Sequence, residues 1–406
     1  MKNDRLWILC GSALMATTLV TGCGGGGSAG AESGADGDTG TSTPPDSSGG
    51  SGAGGFTVSA GYRHTMAIKN DGSVWTWGRN GDGQLGDGTH IDRHAPIQVP
   101  GLAGVKQVAA GEYHSLALKS DGTVWTWGYN DSGQLGDGSV NSRATPQAVP
   151  GLTGVKAIHA KGYHSFALKT DGTVWSWGRN YNGQLGDGTD TYRYSPVQVT
   201  TLSDVKVLGG GMYHMLALKN DGTVMAWGDN SFGQLGVGST DEKHLPTAVS
   251  GLANVSSIAG GWFHSVVSLA DGTVRGFGAN DYGQLGDGTL VHRYSPVQTN
   301  GLAGVKRIEA GGDHTYALLD DGSVRSWGDN IDGQLGNGGM TQQSSPVAVS
   351  GLGQVSEVVA GFVHGLALRS DGSLMAWGAN ENGRLGDGTQ TRRLTPVQVF
   401  TGALMP

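Results

Sequence analysis

A unit of fifty residues occurs seven times without insertion or deletion, and this period restricts the possible folds more than any other feature of the chain. His64, His114, His164, His214, His264, His314 and His364 keep the spacing, as do the Asp-Gly pairs that begin at Asp71, Asp121, Asp171, Asp221, Asp271, Asp321 and Asp371. One unit of this size cannot bury its apolar surface alone and must pack against its neighbours. The copies fill residues 56 to 400, so a chain of 406 residues, long enough for two or three domains, reads instead as one repeat body behind a leader.

Each copy reads as four short strands. In the second, residues 105–110 form strand A, 114–119 strand B, 123–128 strand C and 147–149 strand D. Asp121-Gly122 makes the B–C hairpin turn, because both residues tolerate positive φ. A proline recurs at 96, 146, 196, 246, 296, 346 and 396, and is expected as the first residue of an outer strand, where a missing N–H matters least. Strand C is apolar on both faces, with Val124 and Thr126 on one and Trp125 and Trp127 on the other, as expected of a strand sandwiched between neighbouring units. Four-stranded units repeated seven times predict an all-β, seven-bladed β-propeller. The first copy starts at a strand A and the last ends with a strand D, so pairing of the N- and C-terminal strands is expected to close the ring. Closure removes the edge that invites aggregation, and the body is expected to be a monomer.

The leader divides in two. Lys2 and Arg5, an apolar run over residues 6–20 and then small residues make residues 1–22 an export signal, too short and wrongly flanked for a membrane span. Leu19-Val20-Thr21-Gly22-Cys23 resembles the lipobox of bacterial lipoproteins, which implies that Cys23 is the lipidated first residue of the mature chain. Gly24 after the cysteine would favour the outer membrane of a Gram-negative cell. Residues 24–55, rich in Gly, Ser, Ala and Thr with no aromatic residue, cannot bury enough surface to fold. With Cys23 they make a tether over 23–55 that spans about 30 Å as a Gly-rich coil, ahead of the propeller at 56–406. Cys10 and Cys23 are the only cysteines, so the repeats hold no disulfide or thiolate metal site. The formal charge of -8 argues against a nucleic-acid surface.

The recurring segments Ala-Gly-x-x-His-(Ser/Thr)-x-Ala-(Leu/Ile), Asp-Gly-(Thr/Ser)-(Val/Leu), Trp-Gly-x-Asn-x-x-Gly-Gln-Leu-Gly-Asp-Gly and Arg-x-x-Pro resemble the repeat of the regulator-of-chromosome-condensation family, whose members are seven-bladed propellers. The resemblance covers the whole repeat body and speaks to fold more than to function, since one fold hosts many functions.

Residues kept in every copy are explained by architecture. The seven histidines are expected to hold the blades by buried hydrogen bonds rather than to catalyse, because a catalytic constellation breaks repeat symmetry. Asp87, Asp137, Asp187, Asp287 and Asp387 sit in a loop that lacks the ligand ladder of a calcium site. His90 and His94 share a loop with no third metal ligand in view, and no phosphate loop, nucleophile elbow or zinc-protease motif occurs. No cofactor is expected.

The informative positions are those at which the copies differ. Antiparallel order places the A–B turns and C–D loops on one face of the ring. There the sequence puts Tyr62, Arg63, Tyr113, Tyr163, Tyr213, Trp262, Phe263 and Phe362 in the turns, and Tyr129, Tyr181, Phe232 and Tyr282 at the starts of the loops, with Arg79 and Arg179 beside them. Tyr, Trp and Arg concentrated on one face are the composition of interface hot spots; the bland alternative is that the rings pack over the channel mouth. The expected function is therefore a lipid-anchored envelope or surface protein whose propeller is a non-enzymatic platform for a protein partner. Bacterial propellers similar to this repeat make enzyme inhibition a special case. Two alternatives stand beside it. The family's eukaryotic founder is a guanine-nucleotide exchange factor that uses a wedge inserted in one blade, for which seven copies in one register leave no room. A carbohydrate-binding or carbohydrate-cleaving propeller would need carboxylates converging on one pocket, and the candidates Glu112, Asp229, Asp281, Asp313, Asp332 and Glu381 are spread over different blades.

Overall fold

The computed structural model describes residues 56–69 and 71–400. The export signal, Cys23 and the tether lie outside the described residues. Twenty-eight strands form seven antiparallel sheets of four, arranged as the blades of a β-propeller, and no helix occurs among the described residues. In blade 2 strand A is Val105–Ala110, strand B His114–Lys119, strand C Val124–Gly128 and strand D Arg143–Ala148. The other six blades follow at the same spacing.

Two expectations need correction. Strand D begins earlier than its proline, at Arg143, so that Pro146 lies inside the strand. The proline is tolerated because the ladder is interrupted there: Thr126 pairs with Gln147 and Gly128 with Arg143, which leaves the residues between them in a bulge on an outer edge. The second correction concerns closure. Strands A to D of the first repeat make one sheet and those of the last repeat make another, so no sheet combines the two ends of the chain. Each repeat already holds its own four strands in phase, and its C–D loop returns strand D onto strand C of the same blade. The ring closes sideways, by packing blade 7 against blade 1 as the other neighbouring blades pack.

The core lies between blades. Met66, Ile68 and Val74 of blade 1, with Val99 and Leu102 after it, pack against Val105, Val108, Ala117 and Trp127 of blade 2, and six equivalent clusters follow round the ring, the last joining blade 7 to blade 1. The last aromatic residue of strand C anchors each boundary, a tryptophan in six blades and Phe277 in blade 5. Trp127 is fully buried and donates Nε1–H to the Gln84 carbonyl of the preceding blade at 2.9 Å, and Trp77 reaches Arg384 O at 3.0 Å across the closing boundary. Gly86 (φ 74°) has to be glycine, since a Cβ there would stand 2.7 Å from Trp127 Nε1.

Five of the seven histidines bridge blades rather than bracing single ones, while Nε2 of His164 and of His314 has no partner. Nε2 of His64, His114 and His214 lies 2.8–2.9 Å from the Ser115, Ser165 and Ser265 hydroxyls of the next blade, and those of His264 and His364 lie 3.1 and 3.3 Å from Thr315 and Thr65. Burial pushes His64 and His114 down to about 3, so they act as neutral hydrogen-bonding groups. In the loop aspartates, Asp87 Oδ1 accepts from Asn80 and Thr89 while Oδ2 accepts from Arg93 at 2.7 Å, a clamp that accounts for the recurring Asp and Arg.

Candidate functional site

The A–B turns encircle one mouth of the central channel. They are tied to each other by backbone hydrogen bonds that cross blade boundaries: Glu112 N–H to Gly162 O at 2.8 Å, Met212 to Gly261 at 3.2 Å, Trp262 to Gly312 at 2.9 Å, Gly312 to Phe362 at 2.9 Å and Phe362 to Gly61 at 3.2 Å. A collar built in this way is held by the blades on both sides, so the side chains it carries need little ordering when something binds.

Nine of the aromatic residues singled out from the sequence join in one network on this collar. Phe362 lies 4.3 Å from Tyr62 and 4.2 Å from Trp262, between ring centroids. These rings come from blades 7, 1 and 5, so part of the network roofs the mouth. From Tyr62 it continues to Tyr113 at 5.6 Å, and Tyr113, Tyr129 and Tyr163 form a triangle with sides of 5.9–6.3 Å. From Trp262 it continues to Phe263 at 6.3 Å, and on to Tyr213 at 5.3 Å and Phe232 at 5.0 Å. All nine are half-buried, each packing one side against the collar and leaving part of its surface to solvent. Arginines stack on the rings: Arg63 on Tyr62 at 5.1 Å, Arg79 on Tyr113 at 4.6 Å, and Arg179 at 5.8 Å from Tyr163 and 5.5 Å from Tyr213. Two predicted residues stand apart. Tyr181 is 68% exposed and touches no other ring among the described residues, and Tyr282 is half-buried in an acidic sector.

Charge divides the face. Around the tyrosine triangle stand Arg63, Arg79 and Arg179, with Glu112 beneath. Burial pushes the Glu112 carboxyl up to about 7, against the opposing pull of the Tyr163 hydroxyl, Arg179, the Tyr113 hydroxyl and Arg63. Burial also lifts Tyr113 to about 12. Across the mouth the carboxylates of blades 5 to 7 gather more closely than their sequence positions suggested. Asp313 is pushed up to about 7 by burial and by the charges of Asp329 and Asp281, while Gln284 donates to it at 3.1 Å. Asp329 is not among the carboxylates named from the sequence, although it stands at the same place in blade 6 as Asp229 does in blade 4. Asp229 is committed to Ser231 and Gln234, and Glu381 to Arg384 at 2.5 Å.

Metal candidates do not converge. His90 lies against Gly81 O at 3.2 Å and His94 against Gln390 at 2.7 Å. Among the described residues no three His, Cys, Asp or Glu side chains are grouped to hold an ion.

Comparison with known proteins places the arrangement. Residues 13–274 match the model of the RCC1-like domain, and residues 271–318, 321–368 and 371–403 match that of the regulator of chromosome condensation (RCC1) repeat. Among curated proteins, the ultraviolet-B receptor UVR8 of Arabidopsis thaliana is 48% identical over 42 residues, and the mitochondrial RCC1 domain-containing protein RUG3 of the same plant 40% identical over 50. These matches span only 10% and 11% of those relatives' lengths, and 10% and 12% of this chain. Among solved structures, Prp20p of Saccharomyces cerevisiae superposes with a TM-score of 0.71 at 26% identity, over 84% of this chain and 88% of its own. Human WBSCR16 superposes with a TM-score of 0.69 at 27% identity, over 76% and 85%.

Proposed function

The chain belongs to the family of RCC1-like propellers, and from that premise we propose that it is a non-enzymatic platform that binds a protein partner on the face of the A–B turns and C–D loops. The observation that carries the reading is the continuous network of nine half-buried rings, stacked with arginines and mounted on a collar of cross-blade hydrogen bonds. Aromatic and arginine side chains on a pre-ordered surface supply contact area at low entropic cost. The solved structure of Prp20p is described together with its binding to Gsp1p and histones, which supports protein binding as a use of this fold. Nucleotide exchange through an inserted wedge is disfavoured, since all seven blades keep the same spacing and none carries an extra segment. Lipid on Cys23 holds the platform at an envelope membrane, on the strength of the sequence Leu19-Val20-Thr21-Gly22-Cys23.

The test is a cross-linked capture from envelope extract with the mature chain, run beside a variant carrying Trp262→Ser, Phe263→Ser, Tyr213→Ser and Phe232→Ser. A partner held by the first and lost by the second, with both melting alike, supports the face. Equal capture by both, or sugar release abolished by Asp313→Asn, sinks it. Metabolic labelling with a fatty-acid probe, lost on Cys23→Ala, tests the anchor.

A further inference from the structure

Below the collar, the inner ends of the A strands line the channel with small or apolar side chains in most blades. At one level stand Ser59, Ala109, Gly209, Ala259 and Val359, but blade 3 places His159 there and blade 6 Glu309. Two residues on, the other six blades have glycine and blade 3 has Lys161, whose strand is the longest of the A strands. These residues break the symmetry of the repeat in the interior, where no architectural need of the blades calls for them.

His159 and Lys161 project from the same side of one strand into a cavity of about 110 Å³, lined also by Gln107, Arg307 and Glu309. That is room for several water molecules or one small ligand. The donors there are underused. The Lys161 ammonium makes one long bond across the channel, to Ala310 O at 3.4 Å, and His159 Nε2 is buried with no partner. On the opposite wall Arg307 occupies Glu309, donating from Nε at 2.9 Å and from Nη2 at 2.8 Å to the same carboxylate oxygen. Glu357, behind Arg307 at 3.7 Å, has its carboxyl pushed up to about 8 by burial and so leaves the second cation uncompensated at neutral pH. Lys161 and His159 are both half-buried, facing the channel, and Glu309 is the carboxylate that acts on Lys161 while already bonded to Arg307, so two cations share one anionic charge there, an arrangement that favours a further anion.

We propose that the channel holds a small oxyanion, a carboxylate or a phosphate, between the Lys161 ammonium and the His159 imidazole. The proposal is independent of the partner-binding face, which lies above it on the collar.

Two substitutions test it at little risk to the fold, because each restores what other blades carry at the same place. Lys161→Gly copies Gly61, Gly111 and Gly211, and His159→Ala copies Ala109 and Ala259. Acetate and inorganic phosphate are titrated separately into the mature chain at constant ionic strength, with calorimetry for affinity and the side-chain nitrogen resonances of His159 as the local report. Saturable binding of one anion that shifts the His159 ring nitrogens is expected, weakened roughly tenfold or more by either substitution, and whichever anion binds names the class. Binding that survives both substitutions unchanged, or no saturable binding of either anion, overturns the proposal. Partner capture by the face is expected to be the same in both variants, so its loss elsewhere would not be confused with this one.

Discussion

Two boundaries between blades lack the hydroxyl bridge of the other five: that of blades 3 and 4, where Met215 takes its place and His164 Nε2 has no partner, and that of blades 6 and 7, where a double-mutant cycle probes what joins the blades. In five blades the second residue of strand B is Thr65, Ser115, Ser165, Ser265 or Thr315, and its hydroxyl donates to a carbonyl of the preceding blade at 2.7–2.9 Å while meeting that blade's histidine. Blade 7 has Gly365. Tyr316 of blade 6 replaces the missing hydroxyl with its own, which donates to Gln334 O and receives Trp377 Nε1–H at 3.1 Å, and His314 Nε2 is left without a partner. A Cβ on Gly365 would stand 2.5 Å from both the Tyr316 oxygen and the Trp377 ring, so glycine and tyrosine fit only as a pair. Gly365→Ser alone overpacks the boundary, at a cost of about 1–3 kcal/mol. Tyr316→Leu alone removes a buried ring and its bond and costs about 2–4 kcal/mol. Together they recreate Leu116 against Ser165, and the double variant is expected within about 1 kcal/mol of the parent, a coupling of at least about 2 kcal/mol. Denaturant unfolding with unchanged slope measures it, and the His314 Nε2 resonance in the double variant reports the regained bond. Additivity within about 0.5 kcal/mol would refute the reasoning.

Two further outcomes follow from the same geometry. Burial raises the Glu357 carboxyl from 4.5 to about 8, so between those values the unfolded chain binds fewer protons and stability falls as pH rises. Glu357→Gln removes that loss and imitates Gln107 at the same place in blade 2, whose amide bridges the N–H and C=O of Ile158 at 2.9 Å. A gain of roughly 2–4 kcal/mol at pH 9 that vanishes by pH 4 is expected in chemical denaturation; an equal effect at both values would point to packing instead. The second outcome concerns the clamps. Asp87, Asp187, Asp287 and Asp387 are held below the usual carboxylate range despite burial, by hydrogen bonds from their arginines and threonines, but blade 4 has Val237 with Lys243 and blade 6 has Asn337 with Gln343. Amide exchange should therefore be faster over 229–243 and 329–343 than in the other C–D loops, and the clamped loops should lose protection only as pH falls below 3.8 through their depressed values.

Much of this was legible because symmetry does the work of an alignment. The strands, the turns, the blade count and the face on which the varying aromatics stand follow from period and order alone. What the period could not show was which partner a repeated residue finds, since His64 is equally ready to brace its own blade or the next. The proline misled for a related reason: its missing N–H can sit at a strand start or at a bulge, and only the C–D register decides. Closure was misread from the chain ends, where an unpaired strand A and a final strand D are compatible with both a shared blade and a complete one. On the site, the sequence named the rings but not Glu112 as a buried acid beneath three tyrosines, nor Lys161 as a side chain turned inward. For Lys161 a signal existed, one lysine among seven otherwise invariant glycine positions.

The sideways closure also bears on function. A ring sealed by a shared blade has a special boundary where the chain ends meet; in this ring the boundary between blades 7 and 1 carries Trp77 on Arg384, Thr65 against His364 and Gly388 on His94, the same contacts that join blade 1 to 2 and blade 2 to 3. The collar depends on it directly, because the bond from Phe362 N–H to Gly61 O and the stack of Tyr62 on Phe362 both cross that boundary. Opening the ring there would pull apart the centre of the aromatic network, whereas loosening blade 3 from blade 4, where Arg179 spans Tyr163 and Tyr213, would disturb only its edge. Stability of the closing boundary and integrity of the binding face are thus one property, carried by residues at the two ends of a sequence that never pair in a common sheet.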